Sequence, residues 1–231
     1  MTTAIIIPFR DRGTDPLRAA NLTRVLEHWA SFGPDIILAT DGRTGDAQFN
    51  RHKAYNKAAN HTDADVLAFV ESDMLLDFTQ MDEAIEAALS RPGLVVPFTE
   101  RHELSAEDST KVRAHQADYH DLIGEVIKPK PRRTGAINVI SRNTYNLIGQ
   151  YDETFEGCWW DDRSMHIAFD TCTGPTRWID GPAYHLYHLP GYQGDHLTEE
   201  DKQATARNRE RWQLYTQAQT PNHIRRLTKG L

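Results

Sequence analysis

The chain of 231 residues lacks any apolar run long enough to cross a membrane and has only two cysteines, Cys158 and Cys172. A transmembrane helix needs about 20 apolar residues in succession. Two cysteines favour neither a disulfide framework nor a cysteine zinc site, and they fit a reducing compartment. The N-terminal stretch does not resemble a signal peptide, because its apolar core is short and its charges follow that core. We therefore expect a cytoplasmic protein, in a bacterial cytosol or in that of a phage-infected host.

An excess of positive charge is also missing. The chain carries 26 Lys and Arg against 33 Asp and Glu, which gives a formal net charge of −7. Proteins with broad affinity for nucleic acid present basic surfaces, so this balance argues against a nucleic-acid partner. Internal repeats and low-complexity tracts are absent, and the length fits one large domain.

Short apolar runs alternate with helical patterns along the chain. Asp15 and Pro16 predict a helix start, as an N-cap followed by proline at the first helical position. We expect strands at 4–8, 36–39, 66–71, 94–98, 136–141 and 178–179, and further helices at 49–60, 80–90, 162–169 and 198–217. This alternation predicts a mixed α/β fold with a mostly parallel central sheet flanked by helices. The basic tail after Pro221 is expected to be mobile.

The polar stretch 99–134 shows no clear pattern. Its end contains a cluster of basic residues, Lys128, Lys130, Arg132 and Arg133. Such a cluster suits either contact with phosphates or an anionic acceptor, or an ordinary solvated loop.

Glu71 and Asp73 directly follow the apolar run 66–70. Alternate residues of a strand point to the same side, so both carboxylates are expected to project from the strand's carboxyl end. Ligands of open α/β sheets bind at that end. Two carboxylates repel each other unless a cation lies between them, and a divalent ion held by a nucleotide diphosphate would suit. The alternative is that the two acids are exposed to solvent where the chain leaves the strand and bind no ligand.

Basic residues follow the first strand and open the second predicted helix. Arg10 and Arg12 could hold a diphosphate through charge-assisted hydrogen bonds. Arg51 and Lys53 lie near a helix start, where backbone amides favour anions. Alternatively, Arg10 and Arg12 belong to an ordinary basic loop, and Arg51 and Lys53 are exposed groups of an ordinary amphipathic helix.

Two tryptophans, Trp159 and Trp160, precede two acids, Asp161 and Asp162. Indole rings stack on the apolar face of a sugar, while a neighbouring carboxylate accepts hydrogen bonds from hydroxyls or removes a proton. Acids are also favoured at any helix start by the helix dipole.

The last motif is a histidine pair, His185 and His188. On a strand, the three-residue spacing places these side chains on opposite faces. We therefore expect at most one of them to bind a metal.

These motifs, in this order, resemble the catalytic domain of the β-1,4-galactosyltransferase family. The motifs are IIIPFRDR (5–12), FNRHKAYN (49–56), FVESDMLL (69–76), GAINVIS (135–141), GCWWDDRSM (157–165) and HLYH (185–188). The wider class is the GT-A-fold nucleotide-sugar glycosyltransferases, which includes polypeptide N-acetylgalactosaminyltransferases. The resemblance implies a GT-A domain over residues 1–195, with a C-terminal helix and tail over 196–231 that pack on it.

The resemblance also implies roles for individual residues. The UDP-sugar donor would be bound by Pro8, Phe9, Arg10, Arg12, Asp41, Phe49, Arg51 and Ser72. The acceptor would be bound by Gly135, Trp159, Trp160 and Asp161, with Asp162 as the catalytic base. Mn²⁺, or Mg²⁺ in its place, would be held by Asp73 and His188, with Glu71 as a further candidate.

Two departures from the family pattern bear on these roles. In one alignment, Glu71 and Asp73 match the two acids of the family's Asp-x-Asp motif. In the other alignment, Asp73 matches the first acid of the motif, and Leu75 stands at the position of the second. Trp159 and Trp160 replace a glycine pair, which narrows the acceptor pocket.

The expected activity is metal-dependent, inverting transfer of a hexose from a UDP-sugar to a hydroxyl of a carbohydrate or another acceptor. The alternatives are a nucleotidyltransferase or sugar-nucleotide hydrolase, and a carbohydrate-binding module without catalysis.

Overall fold

The computed structural model describes residues 1–128, 135–191 and 194–231. Its strands are β1 (Thr3–Pro8), β2 (Asp35–Ala39), β3 (Val66–Val70), β4 (Met74–Leu76), β5 (Val95–Val96), β6 (Glu100–Glu103), β7 (Glu125–Ile127), β8 (Ile137–Ser141), β9 (Arg177–Trp178) and β10 (Pro182–His185). Its α-helices are α1 (Pro16–Ala30), α2 (Arg51–Asn60), α3 (Phe78–Ser90), α4 (Ala106–Arg113), α5 (Arg142–Ile148), α6 (Asp161–Thr173), α7 (Glu199–Gln217) and α8 (Pro221–Thr228). Of the basic cluster in 99–134, Lys130, Arg132 and Arg133 lie outside the described residues.

The central sheet has six strands in the order β2-β1-β3-β8-β5-β9. Strands β1, β2 and β3 are parallel, and so are β5 and β9, whereas β8 runs antiparallel to both of its neighbours. The isoleucines of β1, Ile5 to Ile7, are fully buried because the sheet is covered on both faces. The predicted mixed α/β fold with a mostly parallel sheet is confirmed.

A second sheet of four strands has the order β4-β10-β6-β7. Strand β4 leaves the central sheet directly after Asp73 and pairs antiparallel with β10, where Met74 lies opposite His185. Strand β6 pairs with the other side of β10, where Glu103 lies opposite His185. This sheet therefore brings the acidic end of β3 next to the histidine motif.

Helix boundaries follow local capping signals. The Asp15 side chain accepts a hydrogen bond from the Leu17 amide and caps α1, as the sequence predicts. Thr198 and Asp201 form a complete capping box at the start of α7. None of the helices in the described part of the chain is both long and apolar enough to cross a bilayer.

The expectation of a mobile tail after Pro221 is wrong. Thr220 caps α8 by accepting from the His223 amide, and Ile224 of this helix is fully buried. Helix α8 packs on α5 and α6, so apolar burial orders the tail. The proposed division into residues 1–195 and 196–231 stays a prediction.

Candidate active site

A cleft of about 1000 Å³ opens at the carboxyl ends of β1 and β3. It is lined by almost every residue to which the resemblance gives a role: Pro8, Phe9, Arg10, Arg12, Phe49, Arg51, Glu71, Ser72, Asp73, Gly135, Trp159, Trp160, Asp162 and His188. Asp41 and Asp161 do not line the cleft. Both are buried behind arginines that do, because Asp41 contacts Arg10 and Asp161 contacts Arg51.

Three potential metal ligands meet on one side of this cleft. The ligand atoms of Asp73, His185 and His188 lie within 4.8 Å of one another. His188 Nε2 is 3.0 Å from Asp73 Oδ2, and His185 Nε2 is 3.7 Å from Asp73 Oδ1. Asp73 is 4% exposed, and its Oδ1 atom has no hydrogen-bond partner among the described residues. A buried carboxylate oxygen without a donor, beside two imidazole nitrogens, fits a divalent cation.

The prediction that the two histidines lie on opposite faces is wrong. Strand β10 ends at His185, so the alternation of side chains stops there. Residues 186–188 leave the sheet, and both imidazoles face Asp73, with ring centroids 4.9 Å apart. His185 is thus a second candidate ligand, whereas the strand rule allowed at most one of the two histidines.

Neighbouring acceptors orient both imidazoles. The Nδ1 atom of His185 is 2.6 Å from Glu103 Oε2, and the Nδ1 atom of His188 is 2.8 Å from the Leu189 carbonyl oxygen. A proton on each Nδ1 leaves each Nε2 lone pair directed at the Asp73 side of the site, which is the arrangement that metal-binding histidines adopt. Glu103 was missed by the sequence analysis because β6 lies in the stretch without a clear pattern.

The pKa values of this cluster reflect the crowding of opposite charges. Burial by itself raises the pKa of Asp73, but His185 and His188 outweigh it and hold the pKa well below its usual range. Burial lowers the pKa of His185, yet Asp73 and Glu103 together raise it to about 9. In the absence of a metal, a proton on His185 therefore supplies part of the positive charge that the carboxylates require.

Arg51 lies between three carboxylates on the other side of the cleft. Its Nη2 atom contacts Asp161 and lies 2.9 Å from Asp162 Oδ1, and its Nη1 atom contacts Glu71. Among the described residues, Glu71 is thus an ion-pair partner of Arg51 and stands outside the cluster around Asp73. Arg51 joins the first acid after β3 to the two acids that open α6.

The two acids of α6 differ in their pKa. Burial raises the pKa of Asp161, but the adjacent Arg51 outweighs it and the pKa is lowered. Burial and the Asp161 charge raise the pKa of Asp162 above its usual range, against the opposing effect of Arg51. A carboxylate with a raised pKa in a cleft is suited to accept a proton.

Gly135 and the Asp162 carboxylate are in close contact. A Cβ atom on Gly135 would lie 2.4 Å from Asp162 Oδ2, which no side chain could accommodate without displacing the carboxylate. The glycine therefore permits the observed position of Asp162 at the cleft wall.

Helix α7 holds the tryptophan pair in an unusual backbone conformation. Trp159 and Trp160 both have positive φ angles, 74° and 72°. The Asn208 side chain donates to the Trp159 carbonyl oxygen at 3.2 Å, and the Trp160 ring packs on Trp212 with centroids 4.7 Å apart. Such conformations cost about 1–3 kcal/mol each and persist only where neighbouring structure enforces them.

The two arginines after β1 are engaged with a neighbouring loop. Arg10 donates to the carbonyl oxygens of Gly45 and Ala47 at 2.6 and 2.5 Å. Arg12 donates to the Asp46 carbonyl oxygen at 2.8 Å and to Asp201 at 3.1 Å. Most of their donors are therefore used within the protein, although both side chains line the cleft.

Asp41 and Phe49 both contact Arg10, which binds this loop. Asp41 accepts from the Asn50 amide at 3.0 Å and lies 3.1 Å from Arg10 Nε. The Arg10 guanidinium lies over the Phe49 ring, 5.8 Å from its centroid. These contacts fix one wall of the cleft.

No protein-family model matches the chain, and no curated protein sequence matches it. Among solved structures, a mutant of Drosophila β-1,4-galactosyltransferase 7 in complex with manganese, UDP-Gal and xylobiose is similar, with a TM-score of 0.56 and 15% identity over 88% of this chain and 79% of the other. The catalytic domain of the same Drosophila enzyme in complex with xylobiose has a TM-score of 0.58 and 14% identity, over 96% and 83% of the two chains. Glucosyl-3-phosphoglycerate synthase from Mycobacterium tuberculosis, in complex with Mn²⁺, UDP-glucose and phosphoglyceric acid, has a TM-score of 0.54 and 14% identity, over 92% and 78%. These likenesses establish the GT-A fold that the sequence motifs implied.

Proposed function

We propose that this protein is a metal-dependent glycosyltransferase that transfers a sugar from a UDP-sugar to an acceptor hydroxyl. The observation that carries the proposal is that Asp73, His185 and His188 face the same cleft as Asp162. The similar solved structures support it, since their complexes contain Mn²⁺ with UDP-Gal or UDP-glucose.

Mn²⁺ or Mg²⁺ would be held by Asp73, His185 and His188. One carboxylate oxygen and two imidazole nitrogens suit Mn²⁺ better than Mg²⁺, which prefers oxygen ligands. When bound there, a divalent ion neutralises charge on the departing diphosphate. Glu103 and the Leu189 carbonyl oxygen would keep both imidazoles directed at the ion.

Asp162 would act as the general base. Its carboxylate takes the proton of the acceptor hydroxyl while the hydroxyl oxygen bonds to the anomeric carbon and the bond to the diphosphate oxygen breaks. A base on the acceptor side, opposite the leaving group, gives inversion at the anomeric carbon. Trp159, which lines the cleft three residues before Asp162, would stack on the sugar ring of the acceptor.

Calorimetric titration of UDP, with and without Mn²⁺, tests the metal and the base separately. Wild-type protein should bind UDP only with Mn²⁺, and Asp73→Asn should lose that binding because one ligand charge is removed. Asp162→Asn should keep the binding and lose transfer from a UDP-sugar. Asp63→Asn, an exposed acid outside the cleft, is the matched control and should behave as wild type.

Other outcomes separate the alternatives. Release of sugar from a UDP-sugar without an acceptor would indicate a hydrolase. Absence of metal-dependent UDP binding in the wild-type protein would favour a carbohydrate-binding module and would contradict the proposal.

A further inference from the structure

We propose that Arg18 of helix α1 is the side chain that contacts the donor diphosphate beside the metal. This assignment rests on the proposed function and gives the diphosphate a cation that the family motifs do not contain. Arg18 is half-buried and lines the cleft.

The other cleft arginines have partners that occupy them. Arg10 pairs with Asp41, and Arg12 pairs with Asp201. Both arginines also donate to the loop 45–47. Arg51 is surrounded by three carboxylates. Arg101 pairs with Glu103 at 2.5 Å. Their positive charge is therefore largely offset before any ligand binds.

Arg18 differs because it has no carboxylate within ion-pair distance among the described residues. Its one side-chain hydrogen bond there runs from Nη2 to the Leu189 carbonyl oxygen, at 3.3 Å. Arg163 also lacks an acidic partner in that part of the chain, but its guanidinium lies over the Trp160 ring, 5.0 Å from the centroid. Arg163 therefore belongs to the tryptophan side of the cleft, and Arg18 to the side of the histidines.

The Leu189 carbonyl oxygen places Arg18 beside the metal ligands. The same oxygen accepts from Arg18 Nη2 and from His188 Nδ1. A diphosphate that reaches an ion on His188 Nε2 thus also comes near the guanidinium.

Helix α1 fixes this position through three side chains spaced three residues apart. Asp15 accepts from the Leu189 amide at 2.7 Å, and Asn21 donates to the Tyr187 carbonyl oxygen at 3.1 Å. Residues three apart share one helix face, so Arg18 lies between these two contacts. The carbonyl oxygen that Arg18 contacts is therefore fixed before the ligand arrives, which lowers the entropic cost of binding.

Charge balance also requires such a cation. A nucleoside diphosphate carries more negative charge than a divalent ion beside one carboxylate offsets. Guanidinium groups pair with phosphate oxygens through two parallel hydrogen bonds, and their charge persists at any working pH. Arg18 would supply that charge on the leaving-group side of the site.

Arg18→Gln tests the proposal, because glutamine can still donate to the Leu189 carbonyl oxygen while the charge is lost. With saturating Mn²⁺, we expect the affinity for UDP to fall about tenfold, the loss that corresponds to one charge-assisted hydrogen bond. The affinity for Mn²⁺ alone should change less than about twofold, because the histidine segment stays in place. Arg18→Lys should recover part of the UDP affinity. Arg24→Gln, on the same helix but outside the cleft, should bind UDP as wild type does.

Three other results would contradict either the assignment of Arg18 or the proposed function. Unchanged UDP affinity in Arg18→Gln overturns the assignment, and so does a parallel loss of Mn²⁺ and UDP affinity, which would indicate that Arg18 only supports the histidine segment. Wild-type protein that does not bind UDP with Mn²⁺ overturns the proposed function itself.

Discussion

Replacing Arg51 with glutamine separates two roles for this residue. The family resemblance implies that Arg51 binds the donor, whereas in the structure Arg51 contacts Glu71, Asp161 and Asp162. If its main partner is Asp162, loss of the positive charge raises the pKa of the base. If its main partner is the donor, loss of the charge weakens donor binding and leaves that pKa unchanged.

The size of the pKa change follows from the geometry. Unit charges 4 Å apart interact by about 4 kcal/mol at an effective dielectric constant of about 20. The Asp162 side chain is 36% exposed, and solvent reduces the interaction to about 1–2 kcal/mol. Since about 1.4 kcal/mol corresponds to one pKa unit, the pKa of Asp162 should rise by about one unit in Arg51→Gln.

The assay is the pH dependence of kcat/KM for transfer with saturating Mn²⁺. Asp162 must be deprotonated to act, so activity is lost as pH falls through its pKa. A raised pKa should therefore move the acid limb of the profile upward by about one pH unit. Lys53→Gln, an exposed cation on the same helix, should leave the limb in place. An acid limb that does not move, together with a higher KM for the donor, would refute this reasoning.

Stability gives a second measurement on the same variant. Asp161 is 3% exposed and has Arg51 as its cationic partner. Removal of one partner of a buried pair costs about 3–5 kcal/mol. Arg51→Lys keeps the charge and should retain most of the free energy of unfolding and the acid limb, so it controls for damage to the fold.

Two further predictions concern residues away from the cleft. Burial lowers the pKa of His28 to about 4. Between pH 6.5 and 4, His28 is therefore protonated in the unfolded chain but not in the folded protein, and the free energy of unfolding falls as the pH falls. In urea unfolding, the stability lost between pH 6.5 and 4 should be about 3 kcal/mol smaller in His28→Gln than in wild type, and an equal loss in the two proteins would contradict the assignment. Asp152→Ala should cost about 3–5 kcal/mol, because the buried Asp152 accepts from Arg211 at 2.8 Å and from the Tyr215 hydroxyl at 2.9 Å. Asp63→Ala is its control, and a cost under about 1 kcal/mol would contradict this reading.

The sequence predicted those parts of the fold in which local and tertiary preferences agree. Strands β1 and β3 are apolar runs that the sheet buries, and α1 begins at an Asp-Pro cap that remains a cap in the structure. Strands β6 and β7 could not be predicted, because both are short: β6 is polar and half-buried, and β7 has only three residues, two of them exposed. Such strands form because β10 is there to pair with β6, and that information lies some 80 residues along the chain.

The candidate site divides in the same way. The motifs that follow β1 and β3 line one cleft because the carboxyl ends of parallel strands meet at one edge of the sheet. The partners of individual arginines could not be predicted. Arg12 meets Asp201, which is 189 residues away, and Arg51 meets Asp161, which is 110 residues away. A motif places a charged side chain in a cleft, whereas its distant partners decide whether that charge is available to a ligand.

His185 and Arg18 illustrate this distinction on the metal side of the cleft. The alternation rule allowed at most one of the two histidines as a ligand, but the rule holds only within a strand, and the chain leaves β10 at His185. Arg18 lies outside every motif, yet its guanidinium donates to the Leu189 carbonyl oxygen, in the segment that Asp15 and Asn21 hold beside His188. Helix α1 thereby couples the position of a candidate metal ligand to that of a cation without an acidic partner among the described residues. A change in the 186–189 backbone would displace both, so metal affinity and diphosphate affinity should be separable only by substitutions, such as Arg18→Gln, that leave this backbone in place.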